Sequence, residues 1–327
     1  MSSIEKAMDK LAGRTTASAT TATTVETIET IETDADAVVA APVATTDRVP
    51  AAAPITPEPV AAIEAAPLQS EQEATPEDRT VWIDFPQLAA RGNLVPGTAL
   101  TREAEEYQYI KRRLLGNIAL KAGAGGRPAN LIMVTSSVPG EGKTFTSLNL
   151  SMSITFERDH TVLVVDTDIM KRDLSRQLNL EDRLGLYDYL DGQVEDIAKV
   201  IYRTNVPNLA IIPSGRFKAA STEMLASVRM RALVDEFSTR YKDRVVLFDT
   251  PPLLATSTAI ALAPMVGQLV LVVEAGSTKR ATVQMAVRTL DRSPITGLIL
   301  NKCKGSSVKV HDYYGDYYSQ QGATIAR

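Results

Sequence analysis

Residues 131 to 149 read Leu131-Ile-Met-Val-Thr-Ser-Ser-Val-Pro-Gly-Glu-Gly-Lys-Thr-Phe-Thr-Ser-Leu-Asn149, and they constrain the fold more than any other stretch. Four apolar residues run into Ser, Pro and two Gly. A segment with helical spacing follows (Phe145, Leu148, Met152, Phe156), so the pattern is a buried strand, a tight turn and a helix. Gly140 and Gly142 allow the backbone to wrap closely round a bound group. The turn from Pro139 through Glu141 to the first helical residues Lys143, Thr144 and Phe145 offers backbone N–H groups that lack intrahelical partners and therefore suit an anion. Lys143 is placed to reach the β- and γ-phosphates of a nucleotide, and the Thr144 hydroxyl to meet Mg²⁺. Ser137 stands where the strict pattern has its first Gly. On this reading Lys143 serves the phosphates and not the core.

Downstream, short apolar runs alternate with amphipathic ones. Strands are expected at 160–165, 209–212, 244–248, 269–273 and 297–300, with helical spacing at 186–190, 223–240 and 279–291. That alternation predicts an α/β fold, a P-loop NTPase with a mostly parallel sheet flanked by helices on both faces. Upstream, a charged helix is expected over 103–120, where Lys111-Arg112-Arg113 reads as a solvated basic face. Residues 80–100, with Trp82 and Phe85, read as a short apolar segment packing on the body. Residues 3–12 place Ile4, Met8 and Leu11 on one helical face. The tract from about 14 to 78 holds Ala, Thr, Pro and acidic residues but no aromatic residue, and is expected to be disordered. The expected division is an N-terminal region 1–95, a nucleotide-binding domain 96–304 and a tail 305–327.

Charge follows the same division. Residues 1–95 carry 6 Lys/Arg against 15 Asp/Glu, leaving +5 on the remainder and −4 in total. No dense basic stripe marks a nucleic-acid binder, so none is expected as partner. The single Cys303 allows no intrachain disulfide. His160 and His311 lie far apart and make no metal-ligand spacing. Without an expected signal peptide or membrane span, the chain is read as cytoplasmic.

Two strands end in carboxylates: Val165 runs into Asp166-Thr-Asp168, and Phe248 into Asp249-Thr-Pro-Pro252. Ligands of open α/β sheets bind beyond the carboxyl ends of strands, where an aspartate can hold Mg²⁺ or accept a proton. A lone aspartate there equally well caps a helix, but two beside a phosphate turn favour chemistry. The C-terminus crowds Tyr313, Tyr314, Tyr317 and Tyr318 among Asp and Gly.

This set of motifs resembles the bacterial tyrosine kinases (BY-kinases), most of all the soluble members that control exopolysaccharide synthesis and export beside exosortase systems. The resemblance covers about residues 100–318. It implies an ATP- and Mg²⁺-dependent protein-tyrosine autokinase whose phosphoacceptors are the four tail tyrosines. It implies Asp166 as catalytic base or metal organiser with Asp168 beside it, Asp249 as the Walker B carboxylate, Thr144, Asp166 and Asp249 as the metal-binding set, and Asn301 near the adenine. It further implies a membrane-embedded activator of the chain-length-determinant type, recruitment to the inner membrane face, and phosphorylation between self-associated copies. Three features depart from the family: Met170 where arginine is common, a short tyrosine cluster, and an oligomerisation pattern reduced to Glu105, Gln108 and Lys111. The last predicts a mainly monomeric isolated chain. The competing reading is a partition-type ATPase that positions other molecules and modifies no tyrosine.

Overall fold

The structure, a computed structural model, describes residues 21–26, 79–97, 101–120, 126–216, 221–240, 244–290 and 295–304, with positions 123 and 293. Its elements are β1 (Thr21–Glu26), β2 (Thr80–Val81), α1 (Phe85–Ala90), α2 (Arg102–Ala119), β3 (Leu131–Ser136), α3 (Lys143–Thr155), β4 (Thr161–Asp166), α4 (Asp173–Gln177) and α5 (Leu186–Leu190). They continue with β5 (Tyr202–Thr204), β6 (Leu209–Ile212), α6 (Ser221–Leu225), α7 (Val228–Arg240), β7 (Arg244–Asp249), α8 (Thr258–Leu262), β8 (Gln268–Glu274), α9 (Arg280–Thr289) and β9 (Gly297–Lys304). They build one sheet in the order β1-β9-β8-β3-β7-β4-β6-β5-β2. The central strands β9, β8, β3, β7, β4 and β6 are parallel, while β1 on β9 and β5 on β6 are antiparallel.

The central strands alternate between two cores. Leu131, Met133, Leu163, Val165, Val246 and Phe248 enter one apolar layer; Ile132, Val134, Val162, Val164, Val245 and Leu247 enter the other. Strands apolar at every position are therefore covered on both faces, as a parallel sheet with helical crossovers requires. Helix α3 is sandwiched so tightly that its residues from Thr146 to Ile154 are all buried, which explains why small Ser and Thr side chains interrupt its apolar spacing. Gln268, at the start of β8, is buried with its amide donating to the carbonyls of Leu114 (3.1 Å) and Ala129 (2.6 Å) and accepting from Asn117 (2.8 Å). It thereby ties α2 to the sheet.

Four expectations change. Residues 79–97 pack on the body as expected, but as part of its core, which moves the domain boundary: Val81, Ile83, Leu88, Leu94 and Val95 are buried, β2 pairs with β5, and the Leu94 N–H donates to Asn149 Oδ1 of α3 at 2.6 Å. The packed unit thus begins before residue 96. Within the tract expected to be disordered, 21–26 forms an edge strand on β9. The 223–240 periodicity is two helices, α6 and α7, separated at Ala226-Ser227. Lys111 is not on a solvated face. It is 4% exposed, lies 2.6 Å from Glu157 and donates to the Ser153 carbonyl at 3.2 Å, whereas Arg112 and Arg113 are exposed. The 3–12 helix and the tyrosine tail lie outside the described residues.

Candidate active site

The register of the sheet brings the phosphate turn and both strand-end carboxylates to one edge. Asp166 is paired directly with Asp249, and Val134, two residues before the end of β3, is paired with Asp249. Asp166, Asp168 and Asp249 are all buried. Lys143, the first residue of α3, points its ammonium into them, 2.9 Å from Asp168 Oδ2 and 3.9 Å from Asp249 Oδ2. The Thr144 hydroxyl donates to Asp249 Oδ2 at 2.8 Å, and the Ser147 hydroxyl contacts Asp249 Oδ1 at 3.0 Å. Ser147, one turn further along α3, is a site residue that no local sequence signal marks.

Electrostatics follow from three carboxylates around one cation. Burial by itself lowers the proton affinity of the Lys143 ammonium, but Asp249, Asp168 and Asp166 outweigh it and hold the proton more firmly than usual. Burial first, and Asp249 second, push the Asp166 carboxyl up to about 7, against hydrogen bonds from Ser175 that oppose the rise. Burial also raises Asp249, with Lys143 the main opposing influence. The site therefore carries more negative charge than its own residues neutralise. Beside it, the Tyr187 hydroxyl donates to the Thr167 carbonyl at 2.9 Å, and burial pushes this phenol upward.

The turn is held from the other side by the ends of β8 and β9. Glu141 is buried, accepting the Val138 N–H at 2.8 Å and the Thr278 hydroxyl at 2.6 Å. Asn301 donates to the Glu141 carbonyl at 2.9 Å and accepts the N–H of Lys302 at 2.9 Å. Lys302 donates to the Gly140 carbonyl at 2.7 Å and pairs with Glu274 at 2.9 Å. Asn301 is thus a buttress of the phosphate turn, and its amide is already engaged there. Phe145 packs its side chain with the second apolar layer. Met170 is 66% exposed, and the arginine that turns inward from this loop is Arg172.

Gly140 and Gly142 have φ of +93° and +95°, the left-handed region. A Cβ on Gly142 would lie 2.0 Å from Asn301 Nδ2. Gly142→Ala is therefore expected to combine a backbone penalty of about 1–2 kcal/mol with loss of the Asn301 buttress. Nucleotide affinity should fall at least about tenfold, as read by titration with a fluorescent nucleotide; affinity equal to the wild type would show that the turn tolerates a side chain.

The comparisons with known proteins agree with this fold. The AAA domain family model matches residues 129–292, about half of the chain. Tyrosine-protein kinase YwqD of Bacillus subtilis is 31% identical over 214 residues, which cover 65% of this chain and 86% of that protein. The chain belongs to the bacterial tyrosine-protein kinase family. Tyrosine-protein kinase ptk of Acinetobacter johnsonii is 31% identical over 180 residues, 54% of this chain. The match spans only 24% of that longer relative. Among solved structures, the kinase domain of Escherichia coli tyrosine kinase ETK aligns with a TM-score of 0.55 at 27% identity, covering 70% of this chain and 92% of that one. The likeness to the ETK kinase domain is one of overall fold. No helix among the described residues is long and apolar enough to cross a membrane.

Proposed function

We propose that the chain is an ATP-dependent protein-tyrosine autokinase that phosphorylates Tyr313, Tyr314, Tyr317 and Tyr318 and acts in the control of exopolysaccharide synthesis or export. The observation that carries this reading is the convergence of Lys143, Thr144, Asp166, Asp168 and Asp249 at one end of a parallel sheet, at the same end from which β9 leads into the tyrosine tail.

The residues fit the groups this requires. For the phosphates there are two left-handed glycines, the start of α3 and the Ser137 hydroxyl, which is buried in the turn without a hydrogen-bond partner among the described residues. For a divalent cation there are hard oxygen donors, Thr144, Asp166 and Asp249, whose excess negative charge such an ion relieves. Bound MgATP supplies the γ-phosphoryl group. Lys143, released from Asp168, neutralises charge on the phosphates. Thr144 and Asp249 orient the metal side of the site. Asp166 takes the proton of the incoming tyrosine hydroxyl, whose ordinary pKa of about 10 makes it a poor nucleophile unaided. Glu141 and Asn301 keep the turn in shape, which leaves positioning to do most of the work.

From Gly305 to Tyr317 the tail reaches at most roughly 40 Å, and the family likeness favours transfer between copies. We place a membrane-embedded activator of the chain-length-determinant type as the partner that gathers the copies and recruits them to the membrane. The test is incubation with labelled ATP followed by mass spectrometry of residues 305–327. Phosphate on at least one of the four tyrosines is expected. Nucleotide hydrolysis with an unmodified tail would instead favour a partition-type positioning ATPase. An inactive full-length Lys143→Met chain mixed with an active chain lacking 305–327 tests the route: label on the inactive chain's tail is expected, and its absence would confine transfer to one molecule.

A further inference from the structure

Asp166 has both oxygens engaged. Oδ1 accepts the Asp168 N–H at 3.0 Å, and Oδ2 accepts the N–H and the hydroxyl of Ser175 at 3.0 and 2.6 Å. A serine hydroxyl has one proton to give. With that proton on Asp166, the Ser175 oxygen is left as an acceptor, and it receives the Ser214 N–H at 3.1 Å with Ser214 Oγ 3.4 Å away. Ser214 Oγ in turn accepts Arg172 Nε at 3.2 Å, while the other arm of that guanidinium donates to the Glu181 carbonyl. Donors therefore run in one direction, from a guanidinium through two fully buried serines to the carboxylate, and each bond in such a chain polarises the next.

Arg172 reaches this place from a left-handed backbone, φ 53° and ψ 32°. That conformation costs a non-glycine residue about 1–2 kcal/mol. Backbone strain persists where surrounding contacts over-determine it, commonly beside functional groups. Ser214 is anchored independently: it follows β6, and its carbonyl accepts the Tyr187 N–H at 3.0 Å at the start of α5. The relay thus fastens Asp166 to three elements, the β4–α4 turn, α4 itself and the end of β6.

We propose that Arg172, Ser214 and Ser175 are positioning residues that fix the orientation of the Asp166 carboxylate for phosphoryl transfer, an inference that rests on the kinase reading above. None of the three touches the reacting groups; each acts through Asp166.

The test compares Ser175→Ala, Ser175→Thr, Ser214→Ala and Arg172→Gly in the full chain. Ser175→Ala should lower ATP turnover about 10–100-fold, the usual effect of removing a partner of a site ligand, with KM for ATP changed less than about threefold. Ser175→Thr keeps the hydroxyl and should recover most of the turnover. Arg172→Gly separates the relay from simple stability, because glycine accepts the left-handed backbone. Its melting midpoint should match or exceed the wild type while turnover falls. A readout independent of turnover is the gain in melting midpoint with ADP and Mg²⁺ over ADP with EDTA, which should shrink in Ser175→Ala and Arg172→Gly. If Ser175→Ala fails to fold, Ser214→Ala and Arg172→Gly decide. Arg172→Gly with wild-type turnover and an unchanged metal-dependent gain would overturn the relay. Failure of the wild-type chain to label its tail would instead overturn the kinase reading, and the metal-dependent gain would still decide the relay.

Discussion

Lys143→Met is expected to abolish tyrosine phosphorylation and to lower ATP turnover at least about a hundredfold, because the charge it places on the phosphates has no substitute in the turn. It is also expected to destabilise the nucleotide-free chain, contrary to the view of Lys143 as a residue that serves only the phosphates. The residue is 6% exposed and its ammonium sits among Asp166, Asp168 and Asp249. Removing one partner of a buried ion pair costs about 3–5 kcal/mol, less whatever the carboxylates recover by taking up protons. A lower melting midpoint with an unchanged far-ultraviolet circular dichroism spectrum is therefore expected. Full phosphotyrosine on the variant's tail, in the absence of any other active copy, would remove the site from consideration. An unchanged midpoint would show that the three carboxylates relax without their cation.

Stability of the nucleotide-free chain should also depend on the ionisation of Asp166. Its folded carboxyl is raised from 3.8 to about 7, so between these values the native state binds a proton that the unfolded state has released. The stability this gives is complete below about pH 4 and is lost as pH rises to about 7, a change on the order of a few kcal/mol. Other carboxylates titrate over the same range, so the term is isolated by difference. Asp166→Asn removes it while keeping a side chain that still accepts from Ser175. The stability of Asp166→Asn relative to wild type should increase from pH 5 to pH 8, as measured by chemical denaturation at each pH. Mg²⁺ with ADP, by neutralising the same charge, should raise the wild-type melting midpoint more at pH 8 than at pH 5.5. A difference between variant and wild type that is flat across this range would mean Asp166 titrates normally.

The alternation of apolar runs with amphipathic ones, and Pro139-Gly-Glu-Gly-Lys-Thr144 after a buried run, determined the fold class and the location of the phosphate turn. These are local signals: strand and helix periods are written in neighbouring residues, and a left-handed turn position favours glycine. Asp166 and Asp249 were equally legible, because each directly follows an apolar run that needs a strand. Tertiary structure alone decided which residues meet those carboxylates. Ser175 reaches Asp166 from nine positions away and is met in turn by Ser214 from the end of another strand; Thr278 and Asn301 brace Glu141 from beyond 130 positions downstream. Such partners are ordinary serines, threonines and asparagines whose roles depend on sheet order and register, and no spacing records either. The same reason governs Lys111, which reads as one more charge on a basic helix until the crossing of α2 over α3 brings it to Glu157 and the Ser153 carbonyl. It governs residues 79–97 too. Their few apolar side chains show no strong period, and they join the core because Asn149 and strand β5 offer their backbone groups partners.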